Sequence, residues 1–264
     1  MIDARKVWLE YRLDLDRDDD LSRWNNAIDT GDFKRFKQAL QSQDMGRIQH
    51  FLEHHGQSPE MSCTYNNRYN RIRWRRAEDL ILKWSKPGDV IIDIGAGSQA
   101  NVIDRLINRA PDRHYVICDL TSPLLLAYYN LSKRHQVHYL NERDIVGPQA
   151  LLMDLIKQHD CLLVPHHLSQ VLYDLPDHSV FYNSYSMSEM AAVEIDNYMD
   201  MVGTTRSKLI SENYWDSGKH TKCHLCNTAV FPLKPFVPKH FHIVDQRDPH
   251  VPTNPGAQIV VYNT

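Results

Sequence analysis

The sequence predicts an open, mostly parallel α/β sheet with helices on both faces, a terminal antiparallel hairpin and an N-terminal helical extension. Three observations carry this. A short apolar run, Val90-Ile91-Ile92-Asp93-Ile94, ends in Gly95-Ala96-Gly97 and leads into an apolar-periodic segment: a buried strand, a glycine turn and a helix. Further runs of strand length then alternate with helical segments. Near the end, two strand-like runs at 241–244 and 258–262 come without a clear helix between them.

Residues 1–86 read as an N-terminal helical region that contributes to an acceptor site or to oligomerisation, and residues 87–264 as the sheet domain. In the first part, Phe33, Phe36, Leu40, Ile48, Phe51 and Leu52 recur at helical spacing. An acidic run at 14–20 lacks the glycine and distal glutamate of a calcium loop. Ile72, Arg76, Leu80, Ile81 and Trp84 mark one face of a helix that stops at the turn Lys86-Pro87-Gly88-Asp89. Around Trp74, the residues Arg71, Arg73, Arg75 and Arg76 are either a grip for a phosphorylated or carboxylated substrate or a solvated face paired with acids such as Glu78 and Asp79; the second is favoured.

After the glycine turn, 114–119 is the next strand and ends in Asp119. A helix over 124–131, a short extra strand over 136–140 and a helix over 151–157 follow. Residues 161–164 form a buried strand that stops at Pro165-His166-His167, and 179–183 another. A long helix carries Ile195, Tyr198 and Val202, and a strand over 208–211 leads into Glu212-Asn213-Tyr214-Trp215.

Composition narrows the function. At 264 residues with 42% hydrophobic content the chain is one large domain, or one domain with an appendage, and can bury a core. A net charge of −3 gives no electrostatic footprint for nucleic acid or an acidic membrane. No apolar run approaches the roughly 18 residues of a membrane span, and the first residues lack the apolar core of a signal peptide. Five cysteines are odd and sparse for a disulfide framework, so a cytoplasmic location is expected. His220, Cys223, His224 and Cys226 offer soft ligands, but there is no second Cys-x-x-Cys; the segment reads as a loop with incidental thiols, and no metal is assigned. The aromatic and proline-rich stretch at 231–238 is a candidate active-site cover.

Two ligand classes use a loop such as Gly95-Ala96-Gly97. The spacing Gly95-x-Gly97-x-x-Ala100 suits a dinucleotide. Asp93 suits S-adenosyl-L-methionine better. A carboxylate at the strand end attracts an ammonium and repels a pyrophosphate, and Asp119, about 20 residues on, is placed for ribose hydroxyls.

Three segments together resemble the bacterial family labelled sugar O-methyltransferases, within the class I S-adenosylmethionine-dependent enzymes. They are 90–97, Asp119 with the following 123–131, and Asn183-Ser184-Tyr185-Ser186-Met187-Ser188-Glu189-Met190, which is similar to that family's Asn-x-x-Ser-(Phe/Met)-x-Glu-Met signature. The likeness extends into Ile195-x-x-Tyr198, Glu212-Asn213-Tyr214 and Phe33-Lys34-Arg35-Phe36. Gln99 departs from the usual third glycine of such loops, and the insertion at 216–238 has no counterpart. The resemblance implies a class I methyltransferase (Rossmann-like) fold and methyl transfer to a hydroxyl of a sugar or sugar-containing small molecule. An amine acceptor, a nicotinamide-dependent oxidoreductase and an inactive cofactor-binding module are the alternatives. Oligomeric state is open.

Ligands of open α/β sheets sit beyond the carboxyl ends of the strands. That places Asp93, Gly95, Gly97, Asp119, Pro165, His166, Asn183 and Ser186 on one rim. Asp93 and the glycines are expected to hold the amino-acid part of the cofactor, Asp119 the ribose, and Leu120 and Pro165 the adenine. Asn183 is expected where the transferred methyl group projects, and Ser186 among the residues that bind the cofactor. His166 and His167 are the first candidates to accept the acceptor's proton, Glu189 the next, followed by Glu212 and Tyr214.

Overall fold

The computed structural model describes residues 68–97, 100–145, 150–215, 232–247 and 257–264. Its centre is β1 (Val90–Ile94), whose five residues are all buried. An unbroken apolar run of this kind needs cover on both faces, which is the situation of a strand in a parallel sheet. From edge to edge the sheet runs β3 (Val137–Tyr139), β4 (Cys161–Pro165), β2 (His114–Asp119), β1, β5 (Val180–Ser184), β6 (Lys208–Tyr214), β8 (Ala257–Asn263) and β7 (His242–Arg247). Pairing is parallel from β3 through β6, and β8 runs antiparallel to both β6 and β7. This is an open, mostly parallel Rossmann-like sheet with a reversed strand in its terminal hairpin. Its order reverses between β1 and β5, and ligands of open α/β sheets bind at such a switch point.

Side chains alternate along each strand and so feed two cores. One face carries Ile91, Ile117, Leu163, Tyr182 and Ile210 and is covered by α1 (Arg68–Trp84), α2 (Asn101–Arg109) and α3 (Thr121–Leu131). The other carries Ile92, Cys118, Val164, Phe181 and Leu209 under α4 (Ala150–Gln158) and α5 (Ala192–Thr204). Trp74, Ala77, Leu80 and Ile81 of α1 belong to the first core, so the last helix before residue 86 is built into the sheet domain. Glu78 of α1 is buried and accepts from Arg105 and from Arg109 (3.4 Å) of α2, while Asp79 pairs with Arg109 at 2.6 Å. The acids near the arginine cluster are thus held by the neighbouring helix, and Arg75 and Arg76 are exposed.

Two elements differ from expectation. β6 continues to Tyr214, three residues past the predicted end, because β8 lines it throughout and its polar residues find partners inside the protein. The candidate cover is anchored in its described part: Leu233 is buried in the α5-side core, its N–H donates to the Tyr214 carbonyl (2.8 Å), and the Lys234 N–H donates to that of Trp215 (3.1 Å). The helical spacing at 33–52 and the cysteines 223 and 226 lie outside the described residues. Among the described residues no helix is long and apolar enough to cross a membrane, and no group of side chains could hold a metal ion.

Candidate active site

The loop after β1 is shaped by two glycines with different duties. Both Gly95 and Gly97 sit at φ +71°, where a side chain is strained. A Cβ on Gly95 would lie 2.0 Å from Ser186 Oγ and 2.4 Å from its Cβ. A Cβ on Gly97 would meet nothing within 4 Å. The close approach inside the protein is therefore at Gly95, and Gly97 faces open space at the switch point. Ala100, at φ 46°, then starts α2.

Asp119 closes the floor of this loop. The Gly97 N–H donates to its Oδ2 at 2.8 Å and the Leu120 N–H to its Oδ1 at 2.6 Å. Backbone donors to a carboxylate make short, strong bonds, so the acid is fixed in position. Pro165, at the end of β4, is its partner in register.

Alternation divides the remaining candidates between the two faces of the sheet. Asp93, Asp119, Ser184 and Glu212 each follow by two a residue of the α2-side core: Ile91, Ile117, Tyr182 and Ile210. Asn183 follows Phe181, Asn213 lies two past Ser211 and four past Leu209, and His166 follows Val164, all on the α5 side. The rim at the carboxyl ends of the strands thus has its side chains divided between the two faces of the sheet.

Asn183 belongs to the scaffold. It is fully buried. Its Nδ2 donates to the Ile94 carbonyl (2.6 Å) and to Ser186 Oγ; its Oδ1 accepts from the Met187 N–H (3.1 Å) and from Asn213 Nδ2 (2.7 Å). Two donors and two lone pairs are the whole capacity of an amide. Ser186 Oγ also donates to the Ile94 carbonyl (3.0 Å), and Asn213 continues the network to the Ser188 N–H and Ser211 Oγ. The signature segment therefore ties the carboxyl ends of β1, β5 and β6 together. Contact of Asn183 or Ser186 with a cofactor would require this network to open.

His166 is likewise engaged at both nitrogens. Nε2 meets Glu194 Oε2 at 3.0 Å and Nδ1 meets the Tyr198 hydroxyl at 2.9 Å. The ring is thus held between the Glu194 carboxylate and the Tyr198 hydroxyl. Tyr198 is buried, which drives its hydroxyl well above its ordinary range, and it contacts the Cys118 thiol at 3.3 Å. Burial pushes that thiol up to about 12, so it stays protonated. His166 also stands three strands from β5 in the order β4, β2, β1, β5, which is roughly 14 Å at about 4.8 Å per step. His167 is exposed, and the side chain of Glu189 lies outside the described residues. Glu194 is a polar partner that the sequence reading passed over, and Tyr198 and Asn213 are residues it named without these partners. The four-residue spacing of Glu194 and Tyr198 was a usable signal, since it puts both on one helix face.

Glu212 occupies the end of β6, paired in register with Ser184. It is 1% exposed. Ser184 Oγ donates to its Oε2 at 3.2 Å and the Tyr185 hydroxyl to its Oε1 at 3.4 Å. The Tyr185 N–H donates to the Glu212 carbonyl at 2.8 Å. Tyr185 itself sits at φ 68° and meets Tyr214 edge-on, with ring centroids 6.1 Å apart.

No family model and no curated protein matches the sequence. Solved structures that it resembles include the mitomycin 7-O-methyltransferase MmcR, at 12% identity over 88% of this chain and 68% of that one, TM-score 0.45. PigF with SAH gives 12% identity over 99% and 70%, TM-score 0.44. An O-methyltransferase family 2 protein from Planctomyces limnophilus DSM 3776, in complex with apigenin, gives 12% over 74% and 57%, TM-score 0.44. The fold rests on the strand order itself, and any activity rests on the chemistry of the site.

Proposed function

We propose that the protein is an S-adenosyl-L-methionine-dependent methyltransferase that acts on a hydroxyl of a small molecule, a sugar or sugar-bearing metabolite. The observation that carries this is the pair of acids on the α2 side of the switch point, Asp93 and Asp119, the second tied to the Gly97 N–H at 2.8 Å. Two carboxylates suit an ammonium and a ribose diol and oppose a pyrophosphate. The open space at Gly97 leaves room for a ligand against bare backbone. Bound there, the cofactor supplies an electrophilic methyl group on a leaving group that departs neutral. The chain's own residues then have three tasks: Asp93 holds the ammonium, Asp119 the ribose, and the strand ends align the acceptor, which supplies much of the rate in such a displacement. Leu120 and Pro165, next to Asp119, border the adenine in this arrangement.

Thermal unfolding with S-adenosylmethionine, S-adenosylhomocysteine and NAD tests the cofactor. A ligand at 100 times its Kd stabilises the fold by about 2.7 kcal/mol. Both adenosyl compounds should shift the transition, and Asp119→Asn should cut that shift without unfolding the apo protein. A shift with NAD alone refutes the proposal. Product mass across a panel of sugars and glycosides then tests the acceptor, where one added methylene on oxygen is the expected result and transfer to nitrogen refutes the hydroxyl assignment.

A further inference from the structure

We infer that Glu212 is the proton acceptor of the transfer, reached through the hydroxyls of Ser184 and Tyr185; this rests on the cofactor reading above. The sulfonium bears three substituents. With the ribose over Asp119 on β2 and the ammonium at Asp93 on β1, the methyl group is left to project toward β5 and β6. Ser184, Tyr185 and Glu212 stand at those strand ends, and Ser184 and Glu212 share the face of Asp93. His166 stands beyond Asp119 on the nucleoside side and on the opposite face.

The hydrogen bonds fix the direction of proton flow. Ser184 and Tyr185 donate inward, one to each carboxylate oxygen of Glu212. A hydroxyl that donates inward presents oxygen lone pairs outward, where an acceptor hydroxyl can donate. As the acceptor oxygen bonds to the methyl carbon, the carbon–sulfur bond breaks and its electron pair stays on sulfur. The acceptor's proton moves to the Tyr185 or Ser184 oxygen, and that residue's own proton moves to Glu212. The ledger balances: a sulfonium cation and a carboxylate anion become a neutral thioether and a neutral acid, so the buried site loses a charge pair and needs no solvent base. Tyr185 pays for its place in backbone strain, since a non-glycine residue at φ 68° persists only where its surroundings hold it. Its N–H on the Glu212 carbonyl and its ring against Tyr214 supply that hold. Glu212 thus both receives the proton and keeps the relay hydroxyl in position.

Glu212→Gln tests this with phenol and 4-nitrophenol as acceptors at mildly alkaline pH, where the first keeps its proton and the second is ionised. Loss of a general base costs roughly 100-fold or more. Methylation of phenol should fall by that factor, while 4-nitrophenol, with no proton to give, should stay within about threefold. Affinity for S-adenosylhomocysteine by calorimetry should be unchanged, and amide exchange at Tyr185 should quicken because its turn is held less firmly. Ser184→Ala combined with Tyr185→Phe, which removes both relay hydroxyls and leaves Glu212 in place, should show the same discrimination between the two phenols. Equal losses for both phenols or no loss for either would overturn the assignment. Failure of wild-type protein to bind S-adenosylhomocysteine would instead strike the cofactor reading.

Discussion

Gly95→Ala should be far more damaging than Gly97→Ala, although both glycines have φ +71°. The shared cost is the left-handed backbone, about 1–2 kcal/mol for a residue with a Cβ. At Gly97 nothing lies within 4 Å of the new methyl, so the cost to the fold ends there. At Gly95 the methyl would lie 2.0 Å from Ser186 Oγ, which must move. Ser186 then gives up its bonds to the Ile94 carbonyl and to Asn183, at about 1 kcal/mol each. The total is about 3–4 kcal/mol, a large share of the roughly 5–15 kcal/mol that holds a domain together. Urea unfolding followed by tryptophan fluorescence reads this directly, since Trp74 is buried in the α2-side core. Gly97→Ala should keep most of the stability and lose the shift with S-adenosylhomocysteine. Adding Ser186→Gly to Gly95→Ala should cost little more than Gly95→Ala alone, since the serine's bonds are already lost, a non-additivity expected of residues in contact. Stabilities of the two single variants within about 1 kcal/mol of each other would refute the reasoning.

Asn183→Ala should cost about 2–4 kcal/mol in calorimetry, because it strands the buried Met187 N–H and takes one partner each from the Ile94 carbonyl and the Asn213 amide; Asn183→Asp should be no better, since it turns an oxygen toward the Ile94 carbonyl, and a mild effect of either would deny the clamp. Burial, with Lys157 adding repulsion, lowers the pKa of His114 in the fold. A histidine with a depressed folded pKa gives its full contribution above the unfolded value of about 6.5 and loses it as pH falls through the lower folded value. His114→Asn should therefore flatten the fall of the urea midpoint over that acid window, and an unchanged slope would exclude His114 as its source.

The strand–glycine–helix start was legible because its signal is local: the apolar run, the two glycines and the helical periodicity lie within one short stretch. Asp119 was legible for the same reason, as the last residue of the next apolar run. The Asn183 segment was legible as a motif and not as a role. A buried amide at a strand end has the same sequence appearance whether its four hydrogen bonds go to a ligand or to Ile94, Ser186, Met187 and Asn213. The spacing of positions 194 and 198 marks one helix face, but that this face meets His166 is set by how α5 packs over β4, which no local pattern encodes. The parity that puts Asp93 and Glu212 on one face and Asn183 on the other becomes readable only with the register Ile94↔Asn183 and Ser184↔Glu212. A shift of one residue in either pairing would exchange the faces.

The division between faces explains why so much hydrogen bonding is invested where no ligand is placed. Asp93 and Glu212 belong to β1 and β6, with β5 between them, roughly 10 Å apart at about 4.8 Å per strand step. A cofactor and an acceptor meeting in that gap react only if the strand ends keep their separation, since misplacement of about 1 Å costs on the order of 100-fold in rate. Backbone ladders alone fray at strand ends. The Ser186–Asn183–Asn213 network closes the three ends from below, on the α5 side, and leaves the α2 side to carry the acids. Polar groups are costly to bury unless fully paired. Asn183 meets that condition with every donor and acceptor engaged, so its contribution is a fixed spacing between the ends of β1, β5 and β6.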